Sequence, residues 1–163
     1  MKFAAYRPAL ALLALVLAGC QASMHPKPLW TAPQLEVMRA AGFVQTDRGW
    51  ELSVADRLLF ASDESRVDEK QAVVIARIAS NLQAVDIRHA TIEGHADITG
   101  TRRHNLILSG QRARAVASVF VGAGFDRGNI RTEGLGDRYP IEDNRTAEGR
   151  QENRRVVILL SAP

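Results

Sequence analysis

One acid and one arginine carry the most suggestive chemistry in this chain of 163 residues. Asp97 sits in the run GHADITG, and Arg112 follows fifteen positions later in LSGQRA. The first run reads as a strand end passing into a loop, the second as the start of a helix. A carboxylate and a guanidinium on separate elements can take opposite ends of a zwitterion. The carboxylate accepts from an ammonium, and the planar guanidinium fork pairs with a carboxylate in a bidentate way. The plainer alternative is a structural salt bridge between Asp97 and Arg112. Other chemistries fit poorly. His95, Asp97 and His104 lack the spacing of a zinc site. Ser109 has no histidine arrangement that would make it a nucleophile, and Gly134-Leu135-Gly136 is too short for a phosphate loop. No catalytic constellation stands out, so the expectation is a binding protein rather than an enzyme, with no cofactor and no metal.

Such a pair needs elements to hold it. Trp50, Leu52 and Val54 alternate with Glu51 and Ser53, the pattern of a half-buried strand. Asp56-Arg57 reads as a turn, or a bulge continuing the strand, before Leu58-Leu59-Phe60, and residues 61–66 as a polar loop. Asp68, Glu69 and Lys70 open a helix with acids near its positive end, and Val74, Ile75, Ile78 and Leu82 form its buried stripe. Ala90, Ile92 and Gly94 mark a second strand. Ser109 is the expected cap of a second helix, with Ala113, Val116, Val119 and Phe120 facing the core and Gly122 and Gly124 at its end. A third strand is expected over 129–135, a loop over 136–144, a short helix over 146–153 and a last strand over 156–160. That strand is so apolar that both faces should be covered. Strands alternating with helices predict an α/β sandwich, helices on a small sheet, over residues 49–163.

The first twenty residues read as a targeting signal. Lys2 and Arg7 precede an apolar run from Ala9 to Ala18, too short to span a bilayer as a mature helix. The run ends in Leu17-Ala18-Gly19-Cys20, which resembles the lipobox of bacterial lipoproteins. The resemblance implies cleavage after residue 19 and lipidation of Cys20. Several acyl chains on one residue anchor stably, because each buried CH₂ contributes about 0.8 kcal/mol. Gln21 favours sorting to the outer membrane, since Asp at that place is the usual inner-membrane signal. Cys20 is the only cysteine, so no intrachain disulfide can form. Residues 20–32, with Pro26 and Pro28, read as an extended tether.

Residues 33–48 form a pre-domain helix and linker. Pro33 suits its first turn and Gly42 its stop. The segment is unusually apolar. It either packs on the domain or offers Leu35, Met38, Phe43 and Trp50 to a partner. Charge excludes one class of partner. The formal balance is +3, and losing Lys2 and Arg7 with the leader brings it close to neutral. Arg145, Arg150, Arg154 and Arg155 are interleaved with Asp143, Glu148 and Glu152, a salt-bridged face rather than a nucleic-acid footprint. Arg154 or Arg155 alternatively braces the loop carrying Asp97.

Several motifs in order resemble the OmpA-like C-terminal domain, the noncovalent peptidoglycan-binding module of bacterial envelopes. Gly94-His95-Ala96-Asp97 with Gly100 is similar to its G-H-T-D motif. Asn105, Leu108, Ser109, Arg112 and Ala113 fit N-x-x-L-S-x-x-R-A, Gly134 and Gly136 fit G-x-G, and Asn144, Thr146, Gly149 and Arg150 fit N-x-T-x-x-G-R. Asn153-Arg154-Arg155-Val156 fits N-R-R-V. The resemblance implies a small mixed sheet covered by helices, and a ligand with a zwitterionic end, the diaminopimelate of a peptidoglycan stem. Asp97 then takes the ammonium and Arg112 the carboxylate. Gly100 lets backbone donors approach the ligand, Leu108 packs on its methylenes, and Asn105 is either a ligand contact or a clamp on the loop. Asp63 stands where relatives often have Asn, and would either strengthen the grip on the ammonium or repel Asp97. Ala96 and His104 depart from the usual Thr and Tyr. The resemblance also implies the outer membrane, through a lipid anchor, with the domain in the periplasm. Short lipidated members of the family suggest a second role, sequestering a periplasmic repressor protein and so activating a membrane diguanylate cyclase. A homodimer is compatible with either role.

Overall fold

The computed structural model describes residues 29–60 and 65–161. Cys20, the segment read as a leader and most of the segment read as a tether lie outside the described residues, as does Asp63. The fold is a five-stranded sheet with helices, in strand order β1-β2-β5-β3-β4. Its strands are β1 (Val44–Thr46), β2 (Gly49–Ala55), β3 (Ala90–His95), β4 (Ile130–Gly136) and β5 (Arg155–Leu160). Its helices are α1 (Ala32–Ala40), α2 (Asp56–Leu59), α3 (Glu69–Ala84), α4 (Arg102–Gly122) and α5 (Ala147–Asn153). The sheet is mixed: β3 and β4 run parallel, and the other neighbours are antiparallel. Parallel neighbours need a crossover, and α4 supplies it.

The chain's last strand is central because it is the most apolar. β5 pairs with β2 through Val54↔Val156 and Leu52↔Ile158, and with β3 through Ile92↔Ile158. Val156, Ile158 and Leu160 face the core with Ile92, and are at most 1% exposed. The other face carries Val157 and Leu159 among charged side chains. Arg48, from the β1–β2 turn, reaches across β5 to Glu93 on β3 at 2.6 Å. Polar side chains therefore cover much of the second face. Burying Phe120, Leu82 and Ile75 from the helices against this sheet stabilises the fold by roughly 1.5–3 kcal/mol for each large side chain.

Four local features differ from expectation. First, α4 begins at Arg102, capped by the Thr101 hydroxyl, which accepts from His104 N at 3.2 Å. Ser109 is therefore a buried mid-helix residue, and Arg112 lies at the helix middle rather than its start. The sequence hid this because residues 102–104 face solvent, and the first inward residue of the helix is the polar Asn105. Secondly, residues 56–59 form one helical turn, neither a turn alone nor a bulge. Thirdly, Val74 is 39% exposed and Ala79 takes its place in the α3 stripe with Ile75 and Leu82. Fourthly, the linker after α1 contains an edge strand, β1, paired with β2 as a hairpin.

The pre-domain segment is packed on the domain. Met38 is fully buried, and Phe43 and Trp50 are 4% exposed. Leu35 is half-buried against the same core. The four residues assigned to a partner surface thus present almost none in this conformation. Gln34 adds an anchor, donating to the Val85 carbonyl at 3.0 Å.

Candidate ligand-binding cleft

The cleft is built by setting α4 very close to the β3–β4 pair. A Cβ at Gly94 would lie 2.0 Å from the Ser109 carbonyl oxygen, and one at Gly134 would lie 2.6 Å from Gly110 N and the Leu106 carbonyl. No side chain fits either gap. The Ser109 hydroxyl completes the contact, donating to the Leu106 carbonyl at 3.1 Å and accepting from Gly136 N at 3.0 Å. With α4 fixed, residues 105, 108 and 112 project from one face, as their spacing requires. They meet the loop that leaves β3.

That loop is held from within. Asn105 donates to the Asp97 and Thr99 carbonyls, both at 2.9 Å, and is 4% exposed. Of the two roles considered for it, the geometry favours the clamp. Gly100 closes the loop at φ +84°, a conformation side chains resist. Asp97 folds back on its own loop: one carboxylate oxygen, Oδ1, accepts from Thr99 N at 2.7 Å and from the Thr99 hydroxyl. Its other oxygen, Oδ2, pairs with Arg154. Burial pushes the Asp97 carboxyl up, but the Thr99 bonds and the Arg154 guanidinium outweigh it and hold the group below its ordinary range.

Arg112 is fixed on the opposite wall. Its Nε lies 3.0 Å from Asp56 Oδ1, with both side chains largely buried, and its guanidinium stands 5.2 Å from the centre of the Phe60 ring. A cation over an aromatic face gains about 0.5–2 kcal/mol. Asp97 and Arg112 line one cleft of about 620 Å³, together with Asp56, Phe60, Thr99, Gly100, Asn105, Leu108 and Arg154. That volume suits a small ligand. Both residues are paired to other groups at its walls, so the simple salt bridge between Asp97 and Arg112 is not what holds them.

The structure brings Asp97, Gly100, Asn105, Leu108 and Arg112 to one cleft, while the sequence leaves open which arginine braces the loop. Arg154 does so. Arg155, 7% exposed, instead donates to the Asn153 and Tyr139 carbonyls. Asp56, Phe60 and Thr99 were missed. The Asp-x-Thr spacing was a readable signal for a loop closing on its own acid, whereas nothing local in Asp56-Arg57 marks a partner for Arg112. His95 does not line the cleft. It is buried on the sheet beside Glu93, Nε2 to Oε2 3.7 Å. Among the described residues no group of three His, Cys, Asp or Glu side chains could hold a metal.

A single small mixed sheet, a crossover helix welded to it through glycines, and an acid and an arginine across one cleft define a class. The chain belongs to the OmpA family, which matches residues 59–154. It is similar to the outer-membrane lipoprotein YfiB of Pseudomonas aeruginosa, 42% identical over 94% of this chain and 92% of the other. It is also similar to the peptidoglycan-binding protein ArfA of Mycobacterium tuberculosis, 38% identical over 64% of this chain and 32% of that one. A solved structure of the cell wall anchor of the T6SS from Pseudomonas aeruginosa superposes with a TM-score of 0.66 at 30% identity, covering 80% of this chain and 95% of the other.

Proposed function

We propose that this chain is an outer-membrane lipoprotein whose periplasmic domain grips peptidoglycan noncovalently through the zwitterionic side-chain end of diaminopimelate. The observation carrying the reading is that a buried carboxylate and a buried guanidinium, on different elements, face the same cleft. Asp97 receives the ammonium. Arg112, oriented by Asp56 and Phe60, receives the carboxylate, for which its fork geometry is suited. Leu108 packs on the methylenes between. The similarity to a lipoprotein and to a peptidoglycan-binding protein supports the reading, as does the lipobox at Cys20. Asp63, three positions after Phe60 in the sequence, is assigned to the ammonium end. The test is competition: a free stem tripeptide containing diaminopimelate should release the protein from isolated sacculi. Retention at saturating tripeptide would remove the assignment of this ligand.

A second reading is favoured by the extent of the similarity to YfiB, which spans nearly the whole chain and so takes in α1 as well as the OmpA match. In it the protein also sequesters a periplasmic repressor and thereby activates a membrane diguanylate cyclase. Because Met38 of α1 is a fully buried core residue, deleting α1 would damage the fold rather than isolate an interface. The test instead changes the exposed α1 residues Glu36, Arg39 and Ala40 together. Loss of purified repressor capture with wall binding intact supports this reading; unchanged capture counts against it.

A further inference from the structure

We propose that Arg154 is an internal stand-in for the ligand's ammonium: it holds Asp97 in the ligand-free cleft and gives up that carboxylate when an amine arrives. The proposal rests on the reading of Asp97 as the ammonium acceptor. A buried carboxylate is costly unless a cation or strong donors compensate it. Here the compensation is divided by oxygen. Oδ1 is taken by the Thr99 amide and hydroxyl, two residues away on the same loop. Oδ2 is taken by Arg154, which arrives from the far end of the chain. An entering alkylammonium must therefore meet Asp97 where Arg154 already stands, and two cations compete for one oxygen.

The two ends of the cleft differ in how tightly their internal partners are held. The Arg112 and Asp56 side chains are 5% and 13% exposed, so neither can swing away from the other into bulk solvent without leaving a largely buried charge behind. That pair stays assembled, and Asp56 acts as a positioning residue for the carboxylate-binding fork. The Arg154 side chain is 39% exposed while that of Asp97 is 4%. Arg154 can swing into solvent and regain hydration, leaving Asp97 to the ligand. Its backbone does not move with it. Asn153 beside it is fully buried, accepting from Ile141 N and Glu142 N and donating to the Glu142 carbonyl and Asn144. Only the side chain exchanges. Arg154 accordingly sets how much a free amine contributes to binding. A stem whose amine has become a crosslink amide carries no charge there and leaves Arg154 on Asp97.

The experiment is calorimetric titration of the mature chain with two ligands: a diaminopimelate stem tripeptide, and the same peptide acetylated on the side-chain amine. Arg154→Ala should bind the free-amine peptide about two- to fivefold more tightly than wild type, the range expected for removing one partly exposed ionic competitor. Binding of the acetylated peptide should be unchanged. Arg154→Lys, which keeps the charge, should behave as wild type. A second measurement uses the unmodified protein: the side-chain nitrogen resonances of Arg154 should shift with the free-amine peptide and not with the acetylated one. Equal weakening of both peptides by Arg154→Ala, or resonances that respond to both alike, would overturn the proposal by making Arg154 a contact to the rest of the ligand. If wild type binds neither peptide, the reading of the cleft itself falls and this proposal falls with it.

Discussion

Thr99 decides the electrostatic state of Asp97. Its amide and hydroxyl both donate to one carboxylate oxygen, and with Arg154 they keep the group ionised despite burial. A carboxyl held below its unfolded value of about 3.9 adds stability above that pH, and the contribution disappears as pH falls through the folded value. Sacculus binding should therefore be flat from about pH 8 to 5 and fail only in stronger acid. Thr99→Val removes the hydroxyl donor and should move the acid limb upward, read from the carboxyl carbon resonance of Asp97. An unmoved limb would show that Thr99 does not control the charge. Glu93 behaves in the same sense on the far face of the sheet. Burial raises it, yet His95 and Arg48 bring it down to about 2, so its contribution is lost only as pH falls from the ordinary carboxylate range towards that value. Asn105 acts by geometry instead of charge. Asn105→Ala leaves the carbonyls of residues 97 and 99 without that donor and should cost about 1–3 kcal/mol in urea unfolding, with ligand affinity falling as the loop loosens.

At the level of elements, the α4–sheet contact places the site, and it depends on positions that tolerate no Cβ. Gly134→Ala would press a methyl against backbone atoms of α4, which cannot turn aside as a side chain could. The helix must shift, taking Asn105, Leu108 and Arg112 with it. We expect loss of wall binding in a variant that still folds, with stability lowered by about 1–3 kcal/mol, the usual range for overpacking; full binding would show that the cleft tolerates a displaced α4. Much of this was legible in the sequence. The alternation in β2 and β3 and the apolar β5 point to the sheet, and the motif residues at 97, 105, 108 and 112 are ones that line the cleft. The start of α4 was not legible, because a helix turn that faces solvent on one side and a polar loop on the other has no apolar period. Val74 misled for a related reason. It sits next to Ile75 in the sequence but points outward on α3, a distinction of one position that periodicity resolves poorly. Asp56 could not be found at all without the fold, since its role depends on Arg112, far away in the chain.

For the molecule as a whole, one side carries the cleft, and of the two readings of α1 the structure shows the packed one, with Met38 inside the core. Met38→Ala should therefore cost about 2–5 kcal/mol, as for other large-to-small changes in a core, measured by denaturant unfolding; a negligible cost would mean that α1 is not docked in solution. The central claim is that Asp97 and Arg112 act jointly on one ligand. The most direct measurement is co-sedimentation of the purified mature chain with isolated sacculi, for wild type, Asp97→Ala and Arg112→Ala, with folding of each checked by circular dichroism. The account predicts that wild type sediments with the wall and that each folded variant stays in the supernatant. Undiminished sedimentation of both variants would contradict it.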